Sequence, residues 1–186
     1  MSAHSARPRW TEKSGAYRSL TQADASARFI VVPLHVEVGG CMPSVTKSMD
    51  INAPIEKVFD ACDKPENAPM IFPNVDAVSD IRRSDQRLGD KFRIRYSIMG
   101  MHFDEDFPYT QYERATKLGA KFEGGMTGTM LLRLSPKGSA TVATLTVDYS
   151  VSEGLLGRFA NKLMFERMNI KNAERTLENV KVLVEG

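Results

Sequence analysis

The sequence predicts an α+β domain running from about Met42 to Gly186. A curved antiparallel sheet of about seven strands wraps a long C-terminal helix, and two short helices follow the first strand. Three observations carry this reading. The middle of the chain alternates apolar and polar residues with period two, the mark of half-buried strands. The stretches between these strands are too short for parallel crossovers, so the strands form an antiparallel meander. The last segment then changes to helical spacing.

Ser44 to Ile51 reads as the first strand, with Val45, Lys47, Met49 and Ile51 on one face. Asn52 is placed to cap a helix, and Pro54 suits its first turn. Ile55, Val58, Phe59 and Cys62 recur at helical spacing until Pro65. Glu66 to Met70 forms a second short helix, stopped by Pro73. A strand follows from Val75 to Arg82. Phe92, Ile94, Tyr96 and Ile98 then share one face, and Met101, Phe103, Glu105, Phe107 and Tyr109 share a face of the next strand, across the turn at Gly100. Further strands lie around Lys121–Gly125, Thr129–Leu134 and Thr141–Val151, with Lys117-Leu118-Gly119 and Pro136-Lys137-Gly138 as turn signals. Leu156, Phe159, Ala160, Leu163, Met164, Ile170, Ala173, Leu177, Val180 and Val184 line one helical face. A helix from Leu155 to Val184 would be about 45 Å long. The sheet must curve to cover it, and glycines such as Gly124-Gly125 permit that curvature.

Residues 1–41 are set apart. Residues 1–28 are rich in Ser, Ala and Arg and show no periodicity, so the extension reads as disordered. Phe29 to Val38 has strand character, but Pro33 would confine it to a sheet edge. Met42 reads as the genuine translation start, with 1–41 as upstream sequence or a dispensable tail. The folded part carries 20 basic and 20 acidic residues, against five and three in 1–41. A balanced domain with no basic stripe argues against nucleic acid as a partner. No apolar run approaches the ~18 residues of a membrane span. The expected location is therefore cytoplasmic. Cys41 and Cys62, with His4, His35 and His102, make no metal or redox spacing, and neither a cofactor nor a metal is expected. The oligomeric state is not legible.

Particular residues carry a family resemblance. Ile51-Asn52-Ala53-Pro54-Ile55-Glu56-Lys57-Val58-Phe59 resembles the opening signature I-x-A-P-x-x-x-V-[FW] of the START and birch-pollen-allergen superfamily. Asp63-Lys64-Pro65-Glu66-Asn67 and Phe72-Pro73-Asn74-Val75 resemble the D-P-E-x and [FW]-x-P-x-V that follow. They depart from it in the inserted Lys64 and in Phe72 directly preceding Pro73. Asn172 to Lys181 resembles the closing L-x-N-[LIV]-K helix. The resemblance implies the helix-grip fold (SRPBCC), nearest the polyketide cyclase/dehydratase and coenzyme-Q-binding group. Its members bind lipids, isoprenoids or polyketides, and some catalyse cyclisation or dehydration. Fold alone does not choose among these.

The expected pocket between sheet and helix is walled by Phe92, Ile94, Tyr96, Phe103, Phe107, Tyr109, Phe122, Leu132, Tyr149, Phe159, Leu163 and Met164. Such a wall suits a flat or chain-like hydrophobic ligand. Flexible methionines, including Met99, Met101, Met126, Met130, Met164 and Met168, suit a pliable pocket and an ordinary core alike. Glu105 is the acid to test first, because alternation puts it beside Phe103 and Phe107. A buried carboxyl exchanges protons nearer neutral pH. Against this, the run Asp104-Glu105-Asp106 has the look of a solvated edge, where a bulge would turn Glu105 outward. Three functions stay open. These are binding of a hydrophobic small molecule, a polyketide cyclase/dehydratase-type enzyme in the same pocket, and a protein-interaction module with a filled core.

Overall fold

Alternation decides which side chains enter the interior. In β1 (Ser44–Ile51) the odd positions turn inward, with Val45 and Ile51 buried. The computed structural model describes residues 43–98, 100–124, 126–151 and 162–186. The expectations for 1–41 and for Phe159 lie outside these residues. After β1 come α1 (Ile55–Cys62), a 3₁₀ turn (Pro65–Asn67) and α2 (Ala68–Ile71). Strands β2 (Val75–Arg82), β3 (Lys91–Ile98), β4 (Met101–Glu113), β5 (Lys117–Glu123), β6 (Met126–Lys137) and β7 (Ala140–Val151) precede α3 (Lys162–Glu185).

The strands form one seven-stranded sheet in the order β1-β7-β6-β5-β4-β3-β2, and every neighbouring pair is antiparallel. The sheet is therefore a meander from β2 to β7, with β1 added beside β7 through an unbroken register from Ser44↔Asp148 to Ile51↔Thr141. The edge strand β2 is interrupted twice, and Asp80 there has φ 51°. Such irregularity keeps an exposed edge from recruiting another strand.

Two local expectations are corrected. Lys117-Leu118-Gly119 is not a turn but the start of β5, paired with both β4 and β6. The reversal comes earlier, where Ala115 takes φ 60° and the Thr116 amide donates to Glu113 O at 3.0 Å. Nor does Asn52 cap α1, whose cap position is Pro54 with no side-chain hydrogen bond. The Asn52 amide instead donates to Glu185 Oε1 at 2.6 Å, fastening β1's end to the last turn of α3.

At 24 residues, α3 is about 36 Å long. It packs on β1, β7, α1 and α2. Its buried stripe is Phe165, Ala173, Thr176, Leu177, Val180 and Val184. Each fully buried apolar side chain contributes roughly 1.5–3 kcal/mol. Polar ties fix the helix lengthwise: Lys47 Nζ donates to Glu174 at 2.6 Å, Asn179 to Ile71 O at 3.0 Å, and Lys181 to Asp50 O at 3.0 Å. Leu163 and Met164 are a correction, since they are 54% and 49% exposed. At roughly 100° per residue, the nine positions from Met164 to Ala173 put Met164 on the opposite side of the helix from the stripe. Phe165, 1% exposed, turns inward instead.

Candidate functional site

Between sheet and α3 lies a cavity of about 50 Å³, lined by Cys62, Ile71, Phe72, Phe92, Tyr109, Leu118, Ala120, Met130, Leu132, Leu145, Thr176, Leu177 and Val180. The inward faces of β3 to β7 supply one wall, α3 the opposite wall, and α1 and α2 the end. The lining is almost wholly apolar. Its volume is well below the roughly 300–1,000 Å³ of drug-sized ligand pockets.

Of the expected wall, Phe92, Tyr109 and Leu132 line this space. Phe107 stands behind them, stacked on Phe92 at 5.6 Å and on Phe122 at 5.7 Å. Gly128 makes room for Phe122, since a Cβ there would lie 2.6 Å from the ring. Ile94, Tyr96 and Tyr149 are buried in the core away from the cavity lining, and Phe103 is half-buried against Tyr96 at 5.3 Å. Leu163 and Met164 line a different feature, an outer concavity of about 790 Å³ shared with Pro73, Arg167 and Arg175. The sequence reading of the pocket missed Cys62, Ile71 and Phe72, which α1 and α2 bring over the end. It named Met130 only among the flexible methionines and left Leu145 out, although each shares an alternating face with buried neighbours.

The polar groups near the cavity differ in how they are satisfied. Thr176 Oγ1 donates to Asn172 O at 2.8 Å. The Cys62 thiol is pushed up to about 12 by burial and by the neighbouring Asp63 charge, so it stays protonated and unreactive near neutral pH. Behind Cys62, Arg87 Nη2 meets Asp63 Oδ2 at 2.5 Å, and Tyr112 donates to the same oxygen at 3.1 Å. Burial works against the Arg87 charge, but its hydrogen bonds to Asp63 and Tyr112 hold the guanidinium above its ordinary range. Ser84 binds Asp90 Oδ1 through its amide at 2.8 Å and its hydroxyl at 2.7 Å, which secures the β2–β3 loop. Tyr109 is 5% exposed, and no described residue shares a hydrogen bond with its hydroxyl.

Glu105 is 2% exposed, so the solvated-edge reading of the three acids is corrected. The regular pairing of β3 with β4 continues through Ile94↔Glu105 without a bulge. Asp104 and Asp106 face outward and bind Arg95 at 2.9 Å and Arg93 at 2.7 Å. Glu105 Oε1 accepts from the Tyr96 hydroxyl at 2.7 Å and from the Met126 amide at 3.0 Å. Gly124 provides the space, since a Cβ there would lie 2.3 Å from Glu105 Cγ. Burial, then the hydrogen bond and charge of Glu105, push the Tyr96 phenol far above its ordinary range. Of the described tyrosines, Tyr96 is the one that hydrogen-bonds Glu105. Tyr109 lines the cavity, and Tyr149 packs against Phe165 at 5.7 Å. Among the described residues no three metal-ligating side chains converge, and no helix is long and apolar enough to cross a membrane.

A family model described as polyketide cyclase/dehydrase and lipid transport matches residues 42–185. No curated protein matches the chain. Solved structures do. TTHA0849 from Thermus thermophilus is similar at 18% identity, covering 76% of this chain and 97% of that one with a TM-score of 0.66. A START superfamily protein from Mycobacterium smegmatis is similar at 14% identity, with 76% and 97% covered and a TM-score of 0.65. The Zhui aromatase/cyclase from Streptomyces sp. R1128 shares 18% identity, with 77% and 94% covered and a TM-score of 0.62. At such identities the likeness establishes the helix-grip, START-like fold.

Proposed function

We propose, for a chain that belongs to the polyketide cyclase/dehydrase and lipid transport family, that it binds a hydrophobic small molecule between the sheet and α3. The observation that supports this best is the apolar cavity between sheet and helix at the centre of the grip. Apolar ligand surface gains about 25 cal/mol per Å² on entering such a space. The cavity is small, so binding requires its wall to yield. Met130 can do so, being an unbranched side chain with several rotatable bonds. Native mass spectrometry of protein from its source is the test. A retained small hydrophobic adduct is expected. Bare protein in repeated preparations, with no uptake of added hydrophobic compounds, contradicts the reading and favours an interaction module with a filled core.

A second reading is a cyclase- or dehydratase-type enzyme acting in the same interior. One observation favours it, a carboxyl and a phenol 2.7 Å apart and both buried, which is the equipment of proton transfer. Glu105 is not part of the cavity lining, so this reading requires a ligand that reaches beyond it. Replacing Glu105 with Gln would abolish turnover under this reading and leave ligand retention intact.

A further inference from the structure

Four tyrosines lie among the described residues, all at least partly buried. Tyr96 donates to Glu105 at 2.7 Å and Tyr112 to Asp63 at 3.1 Å, and Tyr149 packs against Phe165 at 5.7 Å outside the cavity lining. Tyr109 differs from the other three. It lines the cavity and is 5% exposed, yet no described residue bonds its hydroxyl. Its oxygen is not among the described fully buried side-chain atoms that lack a partner, Asp63 Oδ1 and Asp90 Oδ2, so it opens onto space that a ligand atom can reach. The cavity wall offers it no partner, being apolar except for Thr176, whose own hydroxyl is engaged, and Cys62; Asp63, Arg87 and Tyr112 lie near enough to act on the phenol electrostatically, but none hydrogen-bonds it.

We propose that Tyr109 is the specificity-determining anchor of the cavity, and that the ligand is a hydrophobic molecule carrying a carbonyl oxygen that accepts a hydrogen bond from the Tyr109 hydroxyl. The inference rests on the binding reading above and deepens it. The phenol acts as donor. Burial, followed by the nearby Asp63 charge, raises the phenol above its ordinary range and keeps its proton at neutral pH. Its ring is held in place edge-on to Phe92 at 5.8 Å, and its backbone amide donates to Asp90 O at 2.7 Å. The donor is thus fixed by the strand and by the loop that Ser84 and Arg87 secure. A pure hydrocarbon would leave the hydroxyl unmet, whereas a ketone of the same shape meets it.

The test uses an isosteric pair, 2-acetonaphthone and 2-isopropenylnaphthalene, titrated into the full chain and into Tyr109→Phe. The ratio of the two dissociation constants is expected to shift by about fivefold against the ketone in the variant, the loss of one neutral hydrogen bond. An unchanged ratio overturns the proposal, and is the result expected if the hydroxyl is met by Asp63 or by a retained water. The carbonyl stretch of 2-acetonaphthone bound to the unaltered protein gives a readout that needs no variant. A shift to lower frequency than in hexane supports the anchor, and a hexane-like frequency overturns it. If neither compound binds the unaltered protein, the cavity reading itself fails and this inference with it.

Discussion

Glu105 and Tyr109 stand on the same inward face of β4, and both are buried, yet they meet opposite surroundings. Glu105 is enclosed by groups that answer it, the Tyr96 hydroxyl, the Met126 amide and the space left by Gly124. Tyr109 faces an apolar cavity that leaves its hydroxyl unanswered among the described residues. The contrast teaches that burial of a polar group does not by itself mark a functional site. Where the fold supplies the partners, the group holds the fold together. Where it leaves one missing, a ligand can provide it.

The contrast breaks first at Glu105. Glu105→Ala strands the Tyr96 hydroxyl and the Met126 amide and opens a void, and is expected to lower unfolding stability by about 2–4 kcal/mol in urea denaturation. A loss below about 1 kcal/mol would mean that the carboxyl is not structural. Gly124→Ala follows, because its Cβ would overlap Glu105 Cγ. A loss of roughly 1–3 kcal/mol is expected, and the double change with Glu105→Ala should lose less than the sum. Tyr96→Phe and Tyr109→Phe then sharpen the comparison directly. Removing the Tyr96 hydroxyl is expected to cost about 1–2 kcal/mol, because a charge-assisted bond goes with it. Removing the Tyr109 hydroxyl is expected to change ligand-free stability by less than about 0.5 kcal/mol, because no protein bond is lost. Equal losses would erase the distinction.

Alkaline titration gives the smallest effect. The Cys62 thiol is raised to about 12, so between its unfolded value near 9 and that figure the unfolded chain loses a proton that the folded chain keeps. The stability this group contributes is therefore present below about pH 9 and declines as pH rises towards 12. The raised phenols of Tyr96, Tyr109 and Tyr149 act in the same direction. Cys62→Ala should flatten the first part of that decline, seen as a smaller difference between urea melts at about pH 8 and about pH 10.5.

Much of the fold was legible because its signals are local. The alternation of Phe92 to Ile98 and of Met101 to Tyr109 carries its own register, and the burial of each strand follows it. The start of α3's face was not legible. Leu163, Met164 and Phe165 are three successive apolar residues, and it is tertiary packing, including the ring of Tyr149 against Phe165, that sets Phe165 inward. The burial of Glu105 was half legible. Alternation put it on the inner face, but the amide that holds it comes from Met126, far along the chain. The cavity's end was invisible for the same reason. Ile71 and Phe72 enter it through the tertiary path of α2, which no periodicity encodes.

The most direct measurement is a methyl-resolved NMR titration of the full chain with 2-acetonaphthone. Binding in the grip predicts saturable shifts at Leu132, Leu145, Leu177 and Val180, which line the cavity. Shifts confined to Leu163 and Met164 on the outer concavity, or none at all, would contradict it.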